Sequence, residues 1–111
     1  MKLISTTWTL EEGLALVRLL QSETRQFNMH LVIGGGVVNN GFSNKDLDLY
    51  FLPLGSEDHV TDQDGMKEWL DTLWGEGRDI VQPGYPPSTA YAYKWEYTVG
   101  GKRVDAFIMR G

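Results

Sequence analysis

The sequence predicts an α+β domain: a mixed β-sheet with helices packed on one face and a C-terminal β-hairpin. Three observations carry this expectation. Apolar residues recur at helical spacing in two stretches, Thr9 to Arg25 and Thr61 to Trp74. Apolar and polar residues alternate from Asp46 to Leu52, the period of a strand with one buried face. Near the C-terminus a Gly100-Gly101 pair joins two strand-like runs, the signature of a two-residue hairpin turn.

At 111 residues the chain is expected to form one domain, 1–111, and its 41% hydrophobic and 12% aromatic content is enough for a sizeable core. There are no cysteines, which excludes a disulfide framework and a thiolate zinc site. No apolar run approaches the roughly 20 residues needed to span a bilayer. The start, MKLISTTWTLEE, turns acidic too early for a secretory signal. A cytoplasmic location and no membrane partner are the expectation. The net charge of −5 argues against an extended nucleic-acid surface, since phosphate backbones are held by clustered Lys and Arg. It still permits a small nucleotide ligand whose charge is met by metal ions.

Taken in order, Thr9 and Glu12 form a Thr-x-x-Glu capping box at the start of the first helix. Leu10, Leu14, Leu16, Val17 and Leu20 make its apolar stripe, and Gly13 weakens it modestly. Leu31 to Ile33 is a short, wholly apolar run, the pattern of a strand buried on both faces. Gly34, Gly35 and Gly36 end it. Val37 to Asn40 fits one helical turn, closed by Gly41. In the next strand, Asp46 to Leu52, Leu47, Leu49 and Phe51 point one way and Asp46, Asp48 and Tyr50 the other, with Pro53 as the stop. Residues 54–61 read as an acidic loop. Thr61 or Asp62 caps a second helix with Met66, Trp69, Leu70, Leu73 and Trp74 on its apolar stripe, and Gly75 lies just past its end. Arg78 to Gln82 suits a short strand, and the proline-rich 83–88 a loop.

A two-residue turn at Gly100-Gly101 fixes the hairpin register. Tyr97 then faces Val104, Trp95 faces Ala106 and Tyr93 faces Ile108. On the other face Glu96 lies opposite Asp105, Thr98 opposite Arg103 and Lys94 opposite Phe107. Two acids directly opposite each other are unfavourable, so a cation or a basic side chain is expected beside them.

Two phosphate-loop patterns fail. A dinucleotide fingerprint would need Gly or Ala where Asn39 stands, and a Walker-type loop would need Lys where Phe42 stands. Three adjacent glycines exceed what one turn needs, and close approach of the backbone to a ligand is the favoured reading; a strand end that needs positive φ is the other. Asp46 and Asp48, two residues apart on one strand face, suit either a solvated edge or hard divalent ions. Asp105, flanked by apolar residues, is costly to bury without a partner and is placed to be a third carboxylate. Tyr and Trp at 91, 93, 95 and 97 suit a packed sheet face better than a base-stacking platform. His30 and His59 have no partner spacing and receive no role.

The string Ile33-Gly34-Gly35, ten residues, then Asp46-Leu47-Asp48-Leu49 resembles the defining motif of the DNA polymerase β-like nucleotidyltransferase superfamily. The likeness spans residues 30–108 and includes Asp105 where the family draws its third carboxylate from a later strand. Val37, Gly41 and the Asp-Leu-Asp-Leu string are similar to the CCA-adding and poly(A) polymerase branch. Its spacer is longer, however, and an acid usually stands where this chain has Asn39. In size the chain is similar to the minimal nucleotidyltransferases. The resemblance implies transfer of a nucleoside monophosphate from an NTP, ATP first among them, to an unidentified hydroxyl acceptor. It implies two Mg²⁺ ions, replaceable by Mn²⁺, held by Asp46, Asp48 and Asp105. Phosphate contacts would come from the backbone at Gly34, Gly35 and Gly36, and from Ser43 and Lys45. Family members commonly carry a further domain, so so small a chain is expected to form a homodimer or use a separate partner protein. The alternative is a weak or inactive member of the fold acting as an antitoxin-like binding module through a protein partner. A third reading is a structural domain whose aspartates form a solvated edge.

Overall fold

The computed structural model describes residues 7–53, 63–79 and 92–109. Helix α1, Leu10–Thr24, starts as its sequence dictates: the Thr9 hydroxyl accepts from the Glu12 N–H, and the Glu12 carboxylate accepts from the Thr9 N–H, both at 3.1 Å. A two-residue strand, β1 (Trp8–Thr9), precedes it. A single 3₁₀ turn, Arg25–Phe27, then leads to Asn28, whose left-handed backbone (φ 58°) reverses the chain into strand β2, Met29–Gly34. The short helix α2, Gly36–Asn40, ends at Gly41, whose φ of 81° suits glycine. Strand β3 (Phe42–Ser43) is followed by β4, Asp46–Pro53.

Helix α3 runs over Gln63–Trp74, and strand β5 over Arg78–Asp79. The hairpin comprises β6, Ala92–Val99, and β7, Lys102–Met109. Gly100 and Gly101 both have positive φ, 59° and 82°, which a type I′ turn demands. The register is the one the turn predicts: Tyr97 pairs with Val104, Trp95 with Ala106, Tyr93 with Ile108, and Glu96 with Asp105.

Among the described residues five strands form a mixed sheet in the order β2-β4-β7-β6-β5. Only β4 and β7 run parallel; the other pairs are antiparallel. Leu47, Leu49 and Phe51 of β4 and Val104, Ala106 and Ile108 of β7 are fully buried in one cluster with Leu20 of α1 and Met66 and Leu70 of α3. Both helices therefore cover the same face, and the other face carries the polar residues of β4 and β7. β1 and β3 form a separate two-stranded ladder. Among the described residues no helix is long and apolar enough to cross a membrane.

Three packing expectations need correction. Among the described residues β2 pairs only with β4 and is the edge of the sheet; Val32, on the face away from the helices, is 37% exposed. The apolar run Leu31-Val32-Ile33 thus marks an edge strand, because the helices lie on one side only. In α1 the stripe rotates toward Gly13, which is buried, while Leu14 is 38% exposed. A Cβ on Gly13 would collide with the Ile33 side chain, so this glycine lets the helix lie close on the sheet. In α3, Leu73 is 45% exposed, whereas Trp69 and Trp74 pack against the core. The caps Thr61 and Asp62, the strand residues 80–82, the loops 54–61 and 83–88, Tyr91 and His59 lie outside the described residues.

Candidate metal centre

Alternation along β4 puts Asp46 and Asp48 on the face opposite the helices. Parallel pairing with β7 then sets Asp48 beside Asp105 and Leu47 beside Val104. The consequence is convergence: each of Asp46, Asp48 and Asp105 offers a carboxylate oxygen, and these oxygens lie within 4.8 Å of one another. Asp46 and Asp48 are half-buried and Asp105 is 2% exposed.

Local structure holds the triad in place. The Ser43 hydroxyl oxygen accepts from the N–H groups of Lys45 and Asp46, each at 3.3 Å, and so fixes the entry to β4. The β1–β3 ladder pairs Trp8 with Ser43 and anchors that entry to the start of α1. Gly35 has φ 71° and ψ −152°, a region open essentially to glycine alone, and a Cβ there would strike the Asp48 carboxylate. A Cβ on Gly34 would come within 2.7 Å of the Tyr50 ring. At Gly36 a Cβ would meet Ser43 at 3.7 Å and Asn40 at 4.0 Å, both ordinary contacts. The close approach expected of the glycine run is therefore made, at two of its three positions, by side chains of β4 itself. Lys45 is exposed beside Ser43.

Two of these carboxylates, Asp46 and Asp48, hold their protons more tightly than usual. Burial, then a hydrogen bond to Asp105 and the charges of Asp48 and Asp105, push the Asp46 carboxyl up to about 6. Burial and the Asp105 charge likewise raise Asp48, although Lys94 and Arg103 oppose the shift. The Tyr50 phenol is raised by burial and by the same three charges.

Two basic residues absent from the predicted site reach it. Arg103 Nε donates to Asp105 Oδ1 at 2.8 Å, and Lys94 Nζ is 3.9 Å from Asp105 Oδ2. They answer the Glu96–Asp105 juxtaposition, since Arg103 Nε also lies 3.0 Å from Glu96 Oε1. The signal was present in the hairpin register: Arg103 is two residues before Asp105 on one strand face, and Lys94 sits diagonally across from it. Beside the triad, Tyr50 and Phe107 stack with centroids 4.7 Å apart, and the Lys94 ammonium lies 5.0 Å from the Phe107 ring centroid.

The donor set suits a hard divalent cation: oxygen ligands only, from three converging carboxylates whose mutual repulsion an ion would relieve. Neither a scan against protein-family models nor a search of curated proteins returns a match to this chain.

Proposed function

We propose that this chain is a Mg²⁺-dependent nucleotidyltransferase, moving a nucleoside monophosphate from an NTP to a hydroxyl acceptor. The observation that carries the reading is the convergence of Asp46, Asp48 and Asp105, residues brought together from two strands over fifty positions apart in sequence. It joins the resemblance of the Gly34-Gly35 and Asp46-Leu47-Asp48 string to the polymerase β-like motif. Asp46 and Asp48 would hold both ions, and Asp105 the ion nearest the attacking hydroxyl. Bound there, Mg²⁺ supplies Lewis-acid polarisation of the phosphate and lowers the pKa of the attacking hydroxyl. The residues themselves orient the ions: Gly35 leaves room for the Asp48 carboxylate, and Ser43 fixes the backbone of Asp46. The backbone at Gly34–Gly36, the Ser43 hydroxyl and the exposed Lys45 are the proposed phosphate contacts.

A second reading has one observation in its favour. Arg103 and Lys94 already neutralise Asp105, which allows a metal-free member of the fold that works through a protein partner. Incubation with labelled ATP and Mg²⁺ or Mn²⁺, over a panel of hydroxyl-bearing acceptors and the chain itself, separates the two. Metal-dependent label transfer that Asp48→Asn abolishes supports the enzyme. Absence of transfer together with absence of metal-dependent nucleotide binding supports the binding module.

A further inference from the structure

Arg103 stands between two acids. Its Nε is 2.8 Å from Asp105 Oδ1 and 3.0 Å from Glu96 Oε1, and its Nη2 reaches Asp105 Oδ2 at 3.4 Å. Both oxygens of Asp105 are thus engaged by one guanidinium. The Arg103 backbone is pinned: its residue pairs with Asp46 on one side and Thr98 on the other, and its carbonyl accepts from the Trp8 indole N–H at 2.7 Å. The side chain is held by the two carboxylates and is 41% exposed, against 2% for Asp105 and 25% for Glu96.

We propose that Arg103 is a positioning residue that competes with a divalent cation for Asp105 and passes to Glu96 when the cation binds. The proposal rests on the metal-centre reading above. An ion using Asp105 needs at least one of the oxygens that Arg103 now holds, and it repels a guanidinium at that distance. Glu96 is already in contact with the guanidinium, and its other oxygen lies 4.0 Å from Arg78, so the exchange keeps an existing contact and gives up the one to Asp105. Arg103 therefore keeps the buried Asp105 paired without metal and lowers the affinity for the ion. Glu96 offsets part of that loss by drawing the guanidinium away.

The test is equilibrium Mn²⁺ binding to the whole chain without nucleotide, read by the electron-paramagnetic signal of free Mn²⁺. Circular dichroism checks that each variant is folded. Arg103→Gln is expected to tighten Mn²⁺ binding about tenfold, the loss of one charge-assisted competitor, whereas Arg103→Lys keeps a competing cation and the weaker affinity. Glu96→Gln is expected to weaken binding in the wild-type background and to have little effect beside Arg103→Gln. Long-range charge alone predicts equal losses from Glu96→Gln in both backgrounds. Equal losses, or an unchanged affinity in Arg103→Gln, overturn the exchange while leaving the metal centre standing. Absence of Mn²⁺ binding in both the wild type and Arg103→Gln overturns the metal centre and the exchange with it.

Discussion

Asp48 and Gly35 depend on each other. The carboxylate occupies the space a Cβ at residue 35 would fill, and the backbone there has a conformation that only glycine enters readily. Gly35→Ala is expected to destabilise the fold by about 3 kcal/mol and to push Asp48 out of the triad; urea denaturation measures the first effect. Gly36→Ala, with only ordinary contacts to Ser43 and Asn40, is expected to cost far less. The triad also has a pH signature. Asp46 binds its proton more tightly in the folded state, at about 6 against an ordinary 3.8, and Asp48 is shifted the same way. Between those values the folded chain holds more protons than the unfolded chain, so this contribution to stability falls as pH rises through the window. The metal-free protein is expected to gain thermal stability as pH is lowered from about 7 to about 5, and Asp46→Asn to flatten the gain. Glu12 and Asp71 are shifted downward, so their stabilising contributions are lost only as pH falls below ordinary carboxylate values, outside this window. At this scale the three aspartates were legible from strand alternation and hairpin register. A basic partner beside the Glu96–Asp105 pair was also expected, but its source was not read from the register: Arg103 comes from the same face of β7 and Lys94 from diagonally across the hairpin.

Among the elements, helix α1 shows where periodicity stops being informative. Its stripe could be centred on Leu14 or on Gly13, and hydrophobicity favours leucine. Close packing against Ile33 and Leu47 selects the glycine, and the helix turns Leu14 outward. Leu20→Ala is accordingly expected to cost about 2–5 kcal/mol, and Leu14→Ser about 0.5 kcal/mol or less, both measured by denaturant unfolding. β2 is a similar case: three apolar residues in a row cannot tell an edge strand with one covered face from a central one, since that depends on which side the helices take. β1 and β3, two residues each, are too short to carry a periodic signal, yet they anchor Ser43 and with it Asp46. The hairpin, by contrast, was legible in every pair, because the two glycines leave one turn type and one register.

For the molecule as a whole, the topology does what neither half of the site can do alone. β4 brings two carboxylates and β7 the third, and only their parallel pairing puts Asp48 beside Asp105. Among the described residues the helices pack on one face of the mixed sheet and those side chains lie on the other, and the α+β class was readable from the order of elements. The β4–β7 adjacency was not, because a parallel neighbour far along the chain leaves no local pattern. It was implied only by reading Asp105 as a third carboxylate beside Asp46 and Asp48, a reading the family resemblance joined. The central claim is that the triad is a site for divalent ions and nucleotide. Thermal unfolding with Mn²⁺ and a non-hydrolysable ATP analogue tests it most directly. At about a hundredfold excess over Kd, binding to the folded state contributes about 2.7 kcal/mol, or a rise in Tm of about 10 °C for a chain of this size. The account predicts this rise for the wild type and its loss in Asp48→Asn; no metal-dependent rise in the wild type, or an equal rise in Asp48→Asn, would contradict it.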